Sequence, residues 1–231
     1  MEIKLDGIIV IAGNYGSGKT EISINLAINR KRSGLNVRIA DLDLVNPYFR
    51  TREARHLLSE NGIDLVIPPK QYLQADLPIL SPAVSGMIKQ PAQLTLIDAG
   101  GDDVGVTVLA SLADALRGRE VRMLQVVNPY RPFTETIEGC LEMKSRIEKA
   151  AKISVSGIIG NPNLINETTV DHIYEGNDFL KKLSAQSGLP IEFIAITIDV
   201  FQKIDVGRFE SPLLPIARQL VPPWLKADEI E

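Results

Sequence analysis

The 231-residue chain has one cysteine, Cys140, which excludes an internal disulfide. A four-thiolate zinc or iron–sulfur site within one chain is excluded by the same shortage, and two copies together still bring too few thiols to share one. Basic charge is not in excess: 25 Lys and Arg stand against 29 Asp and Glu, a net charge of −4. Binding of nucleic acid through bulk electrostatics is therefore not expected. No run of about eighteen apolar residues occurs, so no membrane span is expected. The opening Met1-Glu2-Ile3-Lys4-Leu5-Asp6 is charged and lacks the apolar core of a signal peptide. A cytoplasmic protein is the resulting expectation. Internal repeats and low-complexity segments are missing as well.

What is present is a globular composition, 45% hydrophobic with 23% charged residues, in a chain long enough for one sizeable core. Short apolar, β-branched runs at 7–12, 37–40, 94–97, 121–127, 153–159 and 191–198 read as strands buried on both faces. Between them lie helical patterns at 21–33, 51–60, 104–116, 133–151 and 168–187, several stopped by glycine. The alternation predicts an α/β fold: three layers, α/β/α, around a mainly parallel sheet. One domain over 1–231 is expected, with a proline-bearing surface excursion at 63–90 and a proline-broken, acidic tail at 211–231 that packs or frays.

Three stretches carry chemistry. The first, Gly13-Asn14-Tyr15-Gly16-Ser17-Gly18-Lys19-Thr20, has the form G-x-x-x-x-G-K-[ST] and lies between a predicted strand and a predicted helix. Its glycines let main-chain N–H groups curl inward, and with the helix N-terminus behind them these form a nest for phosphates. Lys19 would place a charge on the β- and γ-phosphates, and Thr20 would offer its hydroxyl to Mg²⁺. The second stretch holds Asp41 and Asp43 at a strand end, spaced to face the same way and serve Mg²⁺ and an attacking water. Arg50, Arg52 and Arg55 come shortly after it. The third, Leu94-Thr95-Leu96-Ile97-Asp98-Ala99-Gly100-Gly101, ends an apolar strand in a metal-holding aspartate. Gly100 and Gly101 would let the backbone approach the γ-phosphate. All three sit at carboxyl ends of strands, on one edge of the predicted sheet.

Together these stretches resemble the ParA/MinD/CobQ-like P-loop NTPases, the class that also holds nitrogenase iron protein and dethiobiotin synthetase. The match runs from Gly7 to about Val200. It implies the P-loop NTPase fold, with ATP and Mg²⁺ as cofactors. Asp41 and Asp43 match the first switch, the later aspartate positioning water. Asp98–Gly101 matches the second switch. Val126-Val127-Asn128-Pro129 resembles the strand that ends before a Thr- or Ser-opened helix, here Thr134. Gly157–Asn161 resembles the strand whose terminal Asn reads the base, and an amide suits the N6 and N7 of adenine. A homodimer and an unidentified protein are the macromolecular partners that the resemblance implies.

One departure stands out. Many ParA and MinD proteins carry a second lysine just after the first loop glycine, reaching across a dimer; this chain has Asn14. A neutral amide cannot neutralise charge on a transferred phosphoryl group. Slow hydrolysis, or activation by another residue or a partner, is therefore expected, and dimerisation through that lysine does not carry over. The iron-protein branch fits poorly for want of cysteines. Three roles remain open: a nucleotide-driven ATPase switch, an enzyme phosphorylating a small carboxylate, and a nucleotide-binding adaptor without turnover. Cys140, His56 and His172 read as structural or surface residues.

Overall fold

The apolar runs become one sheet. In the computed structural model, residues 1–42, 51–67, 82–100, 115–220 and 227 are described. Among them lie β1 (Gly7–Gly13), β2 (Val37–Leu42), β3 (Asp64–Val66), β4 (Leu94–Ala99), β5 (Val121–Val127), β6 (Val155–Gly160), β7 (Ile191–Thr197) and β8 (Leu213–Ile216). Their order is β3-β2-β4-β1-β5-β6-β7-β8, and every neighbouring pair is parallel. Parallel neighbours need crossovers, and these are supplied by α1 (Lys19–Arg32), α2 (Arg55–Glu60), α3 (Pro82–Lys89), α4 (Ile137–Ala151) and α5 (Val170–Ser187), with a single-turn α6 (Ile198–Phe201) near the end.

The strand period of two sorts the core into layers. Ile9 and Ile11 of β1 point to one face, where they join Ile22 and Leu26 of α1 and Leu58 of α2. Ile8 and Val10 point to the other, where they meet Val84 and Ile88 of α3 and Ile147 of α4. A further cluster under α5 gathers Ile158, Ile173, Leu180 and Ile196, with the thiol-bearing Cys140. Ile9, Val10 and Ile11 are all 0% exposed, and burying each such side chain stabilises the fold by about 1.5–3 kcal/mol. The three-layer α/β/α arrangement results from this sorting.

Two expectations need correction. The expected tail from 211 enters the sheet: Leu213–Ile216 is its edge strand β8, paired with β7. Pro215 is tolerated because an edge strand need not donate on its outer side. The helix expected from Phe133 starts at Ile137 instead, and its N-cap is Thr136 rather than Thr134. Phe133 takes a left-handed φ of 69°, which turns the chain before the helix begins. The helix expected at 104–116 lies outside the described residues apart from its last two positions, and so does most of the excursion, 68–81. The ends of that excursion are β3 and α3.

The segment after β8 is fastened to α1. Asn25 Nδ2 donates to the Ala217 carbonyl at 3.1 Å, and Ala217 N donates to Asn25 Oδ1 at 2.9 Å. One turn earlier, Glu21 accepts from Gln219 N at 2.8 Å and from Leu220 N at 3.0 Å. Burial holds the Glu21 carboxyl above the ordinary carboxylate range, against the pull of those main-chain donors. Asn25 thus does for Ala217 what another strand would do, inside the protein. Asn25→Ala leaves the buried Ala217 N–H unpaired and the Ala217 carbonyl with only the Gln219 side-chain amide, and is expected to cost about 1–3 kcal/mol in urea unfolding. A loss below about 0.5 kcal/mol would show that this fastening is not rigid in solution.

Candidate functional site

The topology opens a crevice at the carboxyl end of β1. From β1 the chain crosses to β2 on one side, with β4 in between, and later reaches β5 on the other. Gly13–Thr20 fills the top of that crevice. Gly13 needs its missing Cβ: one there would come within 2.7 Å of the Val126 carbonyl of β5. Gly18, at φ 93°, is the N-cap of α1, and no side chain caps this fourteen-residue helix. Two other helices are capped by side chains, Thr136 accepting from Gly139 N at 3.0 Å and Thr169 from His172 N at 3.3 Å, while α2 and α6 are not. The N-terminus of α1 presents its partial positive charge at this crevice without a capping side chain.

Side chains tie the loop to its surroundings. Asn14 Nδ2 donates to the Pro132 carbonyl at 2.7 Å, while Asn14 Oδ1 accepts from Tyr15 N at 2.8 Å. Lys19, 7% exposed, folds back so that Nζ donates to the Asn14 carbonyl at 2.9 Å. Asn161 Nδ2 donates to the Ser17 carbonyl at 2.7 Å. The amide expected to read a base is thus engaged with the loop. Tyr15 points outward, 66% exposed. Ser17 Oγ is buried without a hydrogen-bond partner.

Below the loop lie the carboxylates. Asp41 and Asp98 are register partners on the adjacent strands β2 and β4, and both are 0% exposed. Burial pushes the Asp98 carboxyl up to about 7, and the neighbouring Asp41 adds to the rise. The Thr51 hydroxyl, the Lys19 charge and the Thr20 hydroxyl pull the other way. Thr51 Oγ1 donates to Asp98 Oδ2 at 2.7 Å, and Ser23 Oγ lies 3.5 Å from Asp98 Oδ1. The two carboxyl groups thus lie side by side in the interior, with the Lys19 charge near enough to act on Asp98. Apart from Lys19, the side-chain groups here are hard oxygens, which suit Mg²⁺ rather than a thiolate metal. Among the described residues no three His, Cys, Asp or Glu come together.

The structure therefore brings Gly13, Asn14, Tyr15, Gly16, Ser17, Gly18, Lys19, Thr20, Asp41, Asp98 and Asn161 to one edge of the sheet. Asp43, Gly101 and Arg50 lie outside the described residues, and the Arg52 side chain does as well. Arg55 is exposed on α2. His172 serves the helix cap, its Nδ1 accepting from Thr169 N at 3.1 Å, and His56 faces Glu60 on an exposed turn. Two residues escape a reading of the sequence. Thr51 looks like an ordinary helix-opening threonine, yet it is 0% exposed against Asp98. Arg131 sits in the turn after β5, beside Gly16.

No protein-family model matches the chain, and no curated protein matches it. Solved structures do. Cell division protein FtsY from Thermotoga maritima is similar over 85% of this chain, with a TM-score of 0.60 and 18% identity. The signal recognition particle 54 kDa protein from Aeropyrum pernix, in complex with GDP, is similar over 84%, with a TM-score of 0.56 and 18% identity. FtsY from Mycoplasma mycoides is similar over 83%, with a TM-score of 0.55 and 21% identity. The aligned part makes up 65%, 42% and 59% of those three chains, less than two thirds of each. The likeness establishes the fold, that of the P-loop NTPases. No helix among the described residues is long and apolar enough to cross a membrane.

Gly18→Ala tests the loop geometry. The new methyl group would run into Asn161 Nδ2, at a φ that only glycine adopts without strain. Urea unfolding is expected to show a loss of about 1–3 kcal/mol, with the loop's amide resonances displaced. An unchanged midpoint would mean that Asn161 does not hold the loop.

Proposed function

We propose that the chain is a Mg²⁺-dependent nucleoside triphosphate-binding switch with slow ATPase activity. The observation that carries the reading is the pairing of opposite electrostatic deficits. An uncapped helix N-terminus and Lys19 stand on one side, and the buried Asp41–Asp98 pair on the other. A magnesium polyphosphate answers both at once.

In this reading the loop amides and Lys19 bind the phosphates, with Lys19 leaving the Asn14 carbonyl to do so. Thr20, Asp41 and Asp98 hold the metal, which neutralises charge on the phosphate oxygens. Asp43 positions the attacking water, and Gly101 meets the γ-phosphate. Thr51 gives the switch its mechanical link. It opens the segment after 43–50 and hydrogen-bonds Asp98, so a change at the carboxylate is felt where the first switch ends. Asn14 is held by Pro132, and an amide adds no charge there, which supports slow turnover.

ATP is the proposed nucleotide, on the resemblance of Asn161 to a base-reading position. GTP is the second reading, favoured by the likeness to a structure solved with GDP. A homodimer and a protein partner remain part of the proposal.

Calorimetric titration separates these readings. Wild-type protein is expected to bind Mg·ATP more tightly than Mg·GTP, and Lys19→Ala to weaken binding by about a hundredfold or more. Asp98→Asn is expected to remove most of the dependence of affinity on Mg²⁺. Tighter GTP binding would favour the second reading. Binding of neither nucleotide would overturn both.

A further inference from the structure

Among the described residues, two buried side-chain polar atoms have no hydrogen-bond partner: Ser17 Oγ and Arg131 Nε. Both are at the loop. Ser17 belongs to it, and Arg131 Nε lies 4.0 Å from where a Cβ on Gly16 would stand. A buried polar atom without a partner costs about 1–3 kcal/mol, so two of them at one place call for a ligand that supplies acceptors.

Arg131 is held there by its own main chain. Its N–H donates to the Asn128 carbonyl at 3.2 Å, and its carbonyl accepts from Thr134 N at 3.1 Å. Thr134 Oγ1 donates to the Asn128 carbonyl at 2.7 Å, which closes the turn. Asn128 is anchored in turn, its Nδ2 donating to the Asn163 carbonyl at 2.8 Å. The next carbonyl along, that of Pro132, accepts the Asn14 amide. Phe133 comes next, at its left-handed φ of 69°. A large residue persists in that conformation only where its surroundings over-determine it. The turn is built to keep the base of the Arg131 side chain against the phosphate loop.

We infer that Arg131 is a cis-acting phosphate-binding residue, whose guanidinium supplies the positive charge that the loop lacks at Asn14. The inference rests on the proposed phosphate site and adds a residue to it. Asn14 cannot carry charge, but it bonds to the peptide beside Arg131 and so brings a charge to the same place. Two chain segments are thereby needed to complete one cradle. The residue is half-buried, so a polyphosphate on the loop can be reached by the fork. Guanidinium is matched to phosphate oxygens, offering parallel N–H donors, and is weakly hydrated, which favours such a partly buried place. Ser17 Oγ, the other unpartnered atom, is 3.1 Å from the position of a Cβ on Gly13, in the same loop.

Inorganic tripolyphosphate with Mg²⁺ is the probe, because it has no base for Asn161 to read. Its affinity is to be measured by calorimetry for wild-type protein, Arg131→Gln, Arg131→Lys and Lys19→Ala. Arg131→Gln is expected to weaken binding about tenfold to a hundredfold and to flatten its salt dependence. Arg131→Lys, which keeps the charge without the fork, is expected to recover part of the loss. Should the glutamine variant not fold, the Arg131 Nε–H resonance of ¹⁵N-labelled wild-type protein serves instead, identified by its absence from Arg131→Lys. It is expected to move downfield when tripolyphosphate is added. Loss of binding in Lys19→Ala with none in Arg131→Gln, or an Nε–H resonance that stays in place, overturns this inference and leaves the phosphate site standing. No binding by wild-type protein overturns the site itself, and the inference with it.

Discussion

A helix end that its own side chains leave uncapped is the constraint on which the rest of this molecule depends. Helix α1 starts at a left-handed glycine, directly after the central strand, and no Ser, Thr, Asp or Asn satisfies its first amides. Two of the other helices, α4 and α5, are capped by threonine, whereas α2 and α6 share with α1 the lack of a capping side chain. The partial positive charge of α1 faces a crevice made by the strand order. Opposite it, β2 and β4 place two aspartates in register with no exposure to water. The positive end of the helix thus stands over the acidic pair. The proposed magnesium polyphosphate would engage both.

The same constraint explains the framework around the crevice. Three asparagines, Asn14, Asn128 and Asn161, each donate a side-chain amide to a carbonyl on a different segment. They link the turns after β1, β5 and β6 into one rim. An amide suits this task because it bonds main chain without adding charge to the site. The carboxylates connect to the remaining side of the crevice through Thr51. Behind the site, Glu21 and Asn25 fasten the segment after β8 to the first turns of α1, joining the far edge of the sheet to the helix that follows the Gly13–Thr20 loop.

The central elements are legible in the sequence because their signals are local. Strand β5 matches its apolar run at both ends, and β1, the loop and α1 arise from a β-branched run, spaced glycines and a helical pattern. The side chains that reach the site from elsewhere are not legible. Thr51 meets Asp98 across 47 positions, and Pro132 meets Asn14 across 118. Such pairings are made by the sheet order, which no local pattern encodes. Strand β8 escapes a reading of the sequence because Leu213-Leu214-Pro215-Ile216 is short and proline-broken, a signature shared by edge strands and loops. The start of α4 is ambiguous in the sequence because two threonines stand two residues apart, and only the left-handed turn at Phe133 decides between them. Asn161 reads as facing a base from its position at a strand end. Its amide engages the loop, a choice that depends on where Ser17 folds.

A crystal structure of the protein with Mg²⁺ and a non-hydrolysable nucleoside triphosphate tests the phosphate cradle most directly. The expected result has the phosphate tail on the main-chain amides of Gly13–Thr20, Lys19 swung from the Asn14 carbonyl onto it, and the metal between Thr20 and Asp98. A cradle left empty, with the lysine still folded onto Asn14 and the nucleotide bound elsewhere, would contradict it.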